Sequence, residues 1–302
     1  MGMDFPVEDI SDAPMFSDKI DRMEWSELSP ERYQRDYVLP LKPVIITGGL
    51  DHWAARDKWT FDYFQNQYGD MPLEIEGRRL SMAELIAEVR TSSPQSPAPY
   101  LHNYPVKNLP KELQDDIEPM PACTAPNWLD HPLITVRAPY LTYKELYIGG
   151  QGAKFPVMHY DGLHTHAFLM QIQGVKEYIG FAPDQGKYLY VRNGGNGQPN
   201  LSDVNDVDKY DPARFPEFRN AKGIRFKLHP GETLFMPSGW WHTARILSPS
   251  ITVSINGANA ANWSSFRRDF CRYNMPGRKF LPWALNGYLM FVGNWLSMLP
   301  PI

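Results

Sequence analysis

Short apolar segments, separated by turns rich in glycine and proline, fill the second half of this 302-residue chain. The predicted strands are residues 140–148, 155–160, 167–173, 176–181, 224–228, 232–236 and 251–256. Regular short strands with such punctuation are typical of a β-sandwich or a β-barrel. A polar stretch at residues 193–221 interrupts the series, which predicts an insertion that covers part of the sheet or is disordered.

Two histidines and one aspartate predict a metal site. His159 and Asp161 form a His-x-Asp pair, and because side chains alternate along a strand, both would face the same side. His242 follows a Pro-Ser-Gly turn and would supply the third ligand. Such a ligand set leaves other metal positions open, which suits non-haem Fe(II) with a cosubstrate and O2. His164 and His166 are expected beside the site, because further imidazoles would block O2. The alternative is a structural His-x-Asp pair at a sheet edge.

The charge and the cysteine content exclude several classes of protein. A formal net charge of −4 gives no general attraction to nucleic acid or to an anionic membrane. A basic cluster at residues 267–279 is interpreted as a solvated helix face. Cys123 and Cys271 offer no disulfide framework, which favours a reducing, cytoplasmic location. The sequence after Met1 lacks an apolar leader, so no secretory signal is expected.

The patterns divide the chain into three parts. Ser29, Thr60 and Ser81 each precede a helical pattern and predict helix starts. Residues 43–47 predict a buried strand in the same part of the chain. The predicted division is an N-terminal helical and strand region at 1–99, a β-domain at 100–260 with the 193–221 insertion, and a C-terminal helical segment at 261–302.

The C-terminal segment, residues 281–302, contains no charged residue. By length alone it could span a membrane, but prolines, glycines and asparagines interrupt it. Its apolar residues, which include Trp283, Phe291 and Trp295, cover more of a helix than one contact surface can bury. We therefore expect a homodimer in which this helix packs between its own domain and a second copy, with membrane association as the alternative.

The chain resembles the Jumonji-C family of the cupin superfamily, in its small hydroxylase branch. The resemblance covers about residues 43–256 and rests on the segments 42–50, 146–150 and 171–176, the His-x-Asp pair, and the turn that precedes His242. It implies a mainly β fold with flanking helices, in which a double-stranded β-helix (cupin or jelly-roll) core carries N-terminal α/β elements and a C-terminal helical segment. It also implies Fe(II) and 2-oxoglutarate as cofactors.

The resemblance also implies a binding site for the cosubstrate. Lys176 stands where related hydroxylases hold the far carboxylate of 2-oxoglutarate, with help from a tyrosine that matches Tyr100. Ser254 and Asn256 match positions near the cosubstrate, and Thr165 stands where many relatives have asparagine. The alternatives are a surface lysine for Lys176, core packing for Tyr100, and strand-end hydrogen bonds for Ser254 and Asn256.

These residues predict a 2-oxoglutarate-dependent dioxygenase in which His159, Asp161 and His242 are the metal ligands. A hydroxylase of a protein or peptide side chain is the first choice. A hydroxylase of a small molecule and an N-demethylase with the same chemistry are alternatives, and a non-catalytic cupin binding protein is the least favoured. We expect O2 as a reactant, and neither nucleic acid nor membrane as a partner.

Overall fold

The computed structural model describes residues 14–134, 144–275, 277–278 and 280–299, and most of its strands belong to two sheets. In chain order the strands are β1 (Met15–Ser17), β2 (Asp21–Glu24), β3 (Val44–Thr47), β4 (Pro72–Ile75), β5 (Arg78–Ser81), β6 (Leu101–Pro105), β7 (Glu145–Gly149), β8 (His166–Gln173), β9 (Lys176–Phe181), β10 (Val191–Arg192), β11 (Leu201–Ser202), β12 (Lys222–Leu228), β13 (Thr233–Met236), β14 (Trp241–Ile246) and β15 (Ser250–Gly257). The helices are α1 (Pro30–Tyr33), α2 (Ala55–Lys58), α3 (Phe61–Tyr68), α4 (Met82–Thr91), α5 (Lys111–Asp115), α6 (Trp263–Tyr273) and α7 (Phe280–Leu296).

The two sheets form the predicted cupin core. The larger sheet has the strand order β2-β3-β13-β8-β15-β7-β6, and the smaller has the order β1-β12-β9-β14. Apolar side chains of both sheets, such as Leu234 of the larger and Tyr178 and Phe226 of the smaller, share one buried cluster. The sheets therefore pack face to face, and within the described residues they do not close into a barrel.

The N-terminal helices cover the outer face of the larger sheet. Phe168, Met170 and Ile172 alternate along β8 and are buried in one cluster with Phe64 of α3 and Leu85 of α4. The intervening side chains of β8 face the smaller sheet. Strands β2 and β3, which precede these helices, belong to the larger sheet itself. The N-terminal region therefore extends the sheet as well as covering it.

Side-chain caps confirm the three predicted helix starts. The hydroxyl of Ser29 accepts a hydrogen bond from the Arg32 N–H at the start of α1. Thr60 caps α3 in the same way. Ser81 caps α4 in a reciprocal arrangement, because Glu84 also accepts from the Ser81 N–H at 2.7 Å.

The predicted strand at 155–160 is wrong, and a strand at 241–246 was missed. In the segment 155–160, His159 alone forms an antiparallel bridge, and it pairs there with His242 of β14 and with Leu201 of β11. Of the predicted strand 140–148, residues 140–143 lie outside the described part of the chain. The insertion 193–221 is an ordered cover, because Val204, Val207 and Phe218 are buried against Phe181 and Trp241.

Helix α7 packs on α6 with one side and exposes the other. Leu289, Val292 and Leu296 are buried in one cluster with Phe266 and Phe270 of α6. The opposite side leaves Phe280, Trp283 and Phe291 between 71% and 74% exposed. Within the described residues, no helix combines the length and the apolar character that a membrane crossing needs.

Candidate metal and cosubstrate site

Three side chains converge at the edge of the smaller sheet. His159, Asp161 and His242 each place a ligand atom within 4.8 Å of the others. The backbones of His159 and His242 exchange two hydrogen bonds, of 3.0 and 2.6 Å, which fixes the spacing of the two imidazoles. Asp161 Oδ2 lies 3.8 Å from His242 Nε2. The structure therefore brings the three predicted ligands into one cluster.

Both imidazoles are oriented for ligation through Nε2. His159 Nδ1 lies 3.2 Å from the Val157 carbonyl oxygen, and His242 Nδ1 lies 3.0 Å from that of Trp240. A ring nitrogen that donates to a carbonyl leaves the lone pair on the other nitrogen. Burial, with a smaller effect of His242, lowers the pKa of His159 to about 3, so this imidazole is neutral. The donor set fits a divalent metal such as Fe(II).

His166 supports the turn that carries His242. Its Nδ1 accepts a hydrogen bond of 3.0 Å from the Ser238 N–H, and its Nε2 lies 3.3 Å from Asn259 Oδ1. His164 instead pairs with Asp269 of α6 at 2.5 Å. Among the described residues, neither histidine belongs to the metal cluster. Their predicted place beside the metal site stays a prediction.

A cavity of about 280 Å³ lies between the two sheets and includes the metal ligands. Lys176 of β9 lies at the cavity and is 2% exposed. Its Nζ donates to the Tyr100 hydroxyl at 2.9 Å and lies 5.2 Å from the centre of the Tyr147 ring. Within the described residues no carboxylate pairs with Lys176, although a buried cation is normally paired. This site fits a bound anion.

Burial lowers the pKa of Lys176 to about 7. An anion beside Nζ would stabilise the ammonium form, since opposite charges favour ionisation. The far carboxylate of 2-oxoglutarate is such an anion, and Tyr100 could donate a second hydrogen bond to it. Burial raises the pKa of Tyr100 far above its ordinary value, so the hydroxyl keeps its proton.

The other residues predicted for the cosubstrate fall into two groups. Ser254 and Asn256 lie on β15 and line the cavity. Thr165 does not line it, because its hydroxyl donates to the Gly162 carbonyl at 3.0 Å within the turn that follows Asp161. The structure thus places the Thr165 hydroxyl in this turn, and its predicted contact with the cosubstrate stays a prediction.

Two residues of β7 also line the cavity and were not predicted. Glu145 and Tyr147 alternate with Leu146 and Ile148, which are buried on the opposite face of the sheet. The Tyr147 hydroxyl donates to Glu145 Oε2 at 2.7 Å. Burial raises the pKa of Glu145 to about 7, and the hydrogen bond from Tyr147 opposes this effect. The alternation in Glu-Leu-Tyr-Ile is the sequence pattern from which a shared face for Glu145 and Tyr147 could have been predicted.

Comparison with known proteins places this geometry in a family. The model of the cupin-like domain family matches residues 30–257. A lysine-specific demethylase, JMJ30, of Arabidopsis thaliana is 32% identical over 254 residues, which are 80% of this chain and 55% of that protein. The bifunctional arginine demethylase and lysyl-hydroxylase psr-1 of Caenorhabditis elegans is 26% identical, over 82% of this chain and 64% of its own. Lysine-specific demethylase 8 of Xenopus tropicalis is 30% identical, over 75% of this chain and half of its own.

The chain belongs to the cupin-like domain family and, within it, to the Jumonji-C oxygenases. Fe(II) and 2-oxoglutarate are the cofactors of these enzymes, and the metal cluster and Lys176 fit them. The chain spans less than two thirds of the length of the three relatives described above.

Proposed function

We propose that this protein is an Fe(II)- and 2-oxoglutarate-dependent oxygenase that hydroxylates a side chain of a protein or peptide. The single observation that carries the proposal is a cavity in which a two-histidine, one-carboxylate cluster faces a buried lysine without a carboxylate partner among the described residues. The names of the relatives support a protein substrate, because they describe demethylation or hydroxylation of lysine and arginine.

The residues of this chain would divide the work between them. His159, Asp161 and His242 would hold Fe(II) and leave positions for the cosubstrate and O2. Lys176 and Tyr100 would orient 2-oxoglutarate through its far carboxylate. Bound Fe(II) and 2-oxoglutarate supply an oxidant that inserts one oxygen atom of O2 into a substrate C–H bond as 2-oxoglutarate becomes succinate and CO2.

Demethylation of an N-methyl group is the second candidate, and the relatives named as demethylases favour it. The same hydroxylation would then occur on the methyl carbon, and the product would lose formaldehyde. Incubation of a peptide pool and, separately, of a metabolite extract with Fe(II), ascorbate and 2-oxoglutarate separates the candidates by mass spectrometry. We expect a peptide one oxygen atom heavier. A peptide lighter by one methylene with formaldehyde would favour demethylation, and products confined to a metabolite extract would contradict a protein substrate.

The affinity for 2-oxoglutarate is expected to fall as the pH rises above about 7. Below the pKa of Lys176 the ammonium is already charged, whereas above it each binding event must take up a proton. The expected loss is about tenfold per pH unit, until the pKa of the bound state is reached. Ionisation of Glu145 over the same pH range acts in the same direction, because it adds a negative charge that repels the 2-oxoglutarate dianion. Tyr100 and Tyr147 stay neutral because burial raises their pKa values.

Titration calorimetry with Mn(II) in place of Fe(II) measures this effect. Buffers with different ionisation heats report the number of protons taken up. Lys176→Arg is the matched control, since a guanidinium stays charged and should flatten the profile. An affinity that rises from pH 7 to about pH 9 would contradict the assignment of Lys176.

We also propose that two copies associate through α7. Trp283 and Phe291 are each 71% exposed on the side of α7 that faces away from α6, and such an apolar surface favours a partner. Because the opposite side of α7 is already buried, a second copy would place the helix between two domains.

The double substitution Trp283→Glu and Phe291→Glu is expected to convert a dimer into a monomer, because it places charges in the apolar contact. Light scattering at roughly micromolar concentration measures the mass. Leu39→Glu, at another exposed apolar residue, is the control and should leave the dimer intact. A wild-type protein that is monomeric, or that is recovered only when detergent is present, would refute the proposal.

A further inference from the structure

Glu145 is a carboxylate at the cavity without a cationic partner. In the described part of the chain, each of the buried carboxylates away from the cavity pairs with lysine or arginine: Asp116 with Lys58, Glu177 with Arg225 and Arg245, Glu232 with Arg22, and Asp269 with Arg268. Asp161 is a metal ligand. Glu145 forms no ion pair with a described residue, and its hydrogen bond comes from the neutral Tyr147 hydroxyl. An unpaired carboxylate in such a place is costly.

Neither the metal cluster nor Lys176 neutralises the charge of Glu145. Within the described residues the cluster of possible metal ligands contains His159, Asp161 and His242, and Glu145 lies outside it. Lys176 donates to Tyr100 and lies over the ring of Tyr147, whose hydroxyl reaches Glu145. Tyr147 therefore links the two charged groups without an ion pair between them.

The pairing of the strands places Glu145 and Lys176 at different depths. On the larger sheet, Glu145 pairs with Ser254, whereas Tyr100 lies beside Gly149 at the far end of β7. On the smaller sheet, Lys176 is opposite Ile246, four residues along β14 from His242. The cavity therefore has a cationic end at Lys176 and an anionic position at Glu145.

The mouth of the cavity has a second polar group. Asn103 lines the cavity and is exposed on β6. Its φ of 54° lies in the left-handed region, at the point where the pairing of β6 with β7 shifts register. Such backbone strain is found at binding sites.

We infer that Glu145 binds a cationic side chain of the substrate, so that the enzyme selects a lysine or arginine residue for oxidation. The inference rests on the proposed oxygenase function and names its substrate class. A carboxylate removed from bulk water discriminates strongly between an ammonium or guanidinium group and a neutral group of the same shape. Glu145 is thus a specificity-determining residue.

Binding of small probes tests this inference without turnover. The probes are N-acetyl-lysine amide and N-acetyl-arginine amide, with the neutral analogues N-acetyl-norleucine amide and N-acetyl-citrulline amide. Each is titrated by ligand-observed NMR into the full chain with Mn(II) and 2-oxoglutarate at about pH 8, where Glu145 is ionised. We expect each cation to bind at least about tenfold more tightly than its neutral analogue.

The variant Glu145→Gln should remove this preference, because it keeps the shape and the hydrogen bonding of the side chain but not the charge. Glu74→Gln, at an exposed position on β4, changes the net charge equally and should keep the preference. A melting temperature confirms that each variant is folded. Equal binding of charged and neutral probes to the wild type, or an unchanged preference in Glu145→Gln, would overturn the inference.

Succinate release, measured in parallel, separates this inference from the function on which it rests. If the cation preference depends on Glu145 but the protein releases no succinate with Fe(II), 2-oxoglutarate and peptides, the oxygenase proposal fails and the cation site stands. If succinate is released but the preference is absent, the oxygenase proposal stands and the cation site fails.

Discussion

Replacement of any one of His159, Asp161 or His242 with alanine is expected to abolish 2-oxoglutarate turnover. Each side chain supplies one of three converging ligand atoms, so its loss leaves two. Substitution of residues that merely orient metal ligands already costs about 10- to 100-fold in activity or affinity, and loss of a ligand should cost more than about a hundredfold. Release of succinate from 2-oxoglutarate measures the effect.

The three alanine variants should remain folded, because His159, Asp161 and His242 lie outside the apolar clusters of the two sheets. His52→Ala is the matched control, since this imidazole bonds the Pro119 carbonyl oxygen outside the cavity. It should retain turnover near that of the wild type. Release of succinate at the wild-type rate from any of the three ligand variants would refute the metal assignment.

Replacement of Lys176 with alanine is expected to weaken 2-oxoglutarate binding about 30- to 1000-fold. The change removes a charge-assisted hydrogen bond in a buried site, for which the expected loss is on the order of 2–4 kcal/mol. Metal affinity should change little, because Lys176 is outside the ligand cluster. Lys176→Met, which keeps the length of the side chain but not its charge, should weaken cosubstrate binding to a similar degree.

Titration of 2-oxoglutarate in the presence of Mn(II), with a separate titration of the metal, measures the two affinities. An unchanged affinity for 2-oxoglutarate in Lys176→Ala would move the anchor to another cation. Arg245 is less suited to that role, because it already pairs with Glu177 and Asp208 at 2.7 and 2.8 Å.

Local features of this protein were predictable from the sequence. The helix caps at Ser29, Thr60 and Ser81 depend on neighbouring backbone groups, and the residues involved are at most three positions apart. The cluster of candidate metal ligands was also predictable, because His-x-Asp and the turn before His242 are short motifs whose resemblance to the Jumonji-C family covers most of the core. The predicted cupin fold is confirmed by the family match and by the two sheets.

Features that depend on strand pairing were harder to predict. The segment 155–160 has an apolar pattern, yet His159 alone forms a strand bridge there, because the chain bends at residues 156 and 157. Strand β14 contains a tryptophan, a histidine and an arginine, and its identity as a strand depends on pairing with β9. The position of Glu145 at the cavity depends on the pairing of β7 with β15, which the sequence pattern does not specify. The three-part division and the cytoplasmic location stay predictions.

Labelling with the heavy isotope of oxygen tests the central claim most directly. The full chain is incubated with Fe(II), ascorbate, 2-oxoglutarate and a peptide pool under labelled dioxygen in ordinary water. The oxygenase account predicts one labelled oxygen atom in a peptide side chain and one in succinate, with both lost in Asp161→Ala. Succinate without label, or a labelled peptide that forms equally in the absence of 2-oxoglutarate, would contradict it.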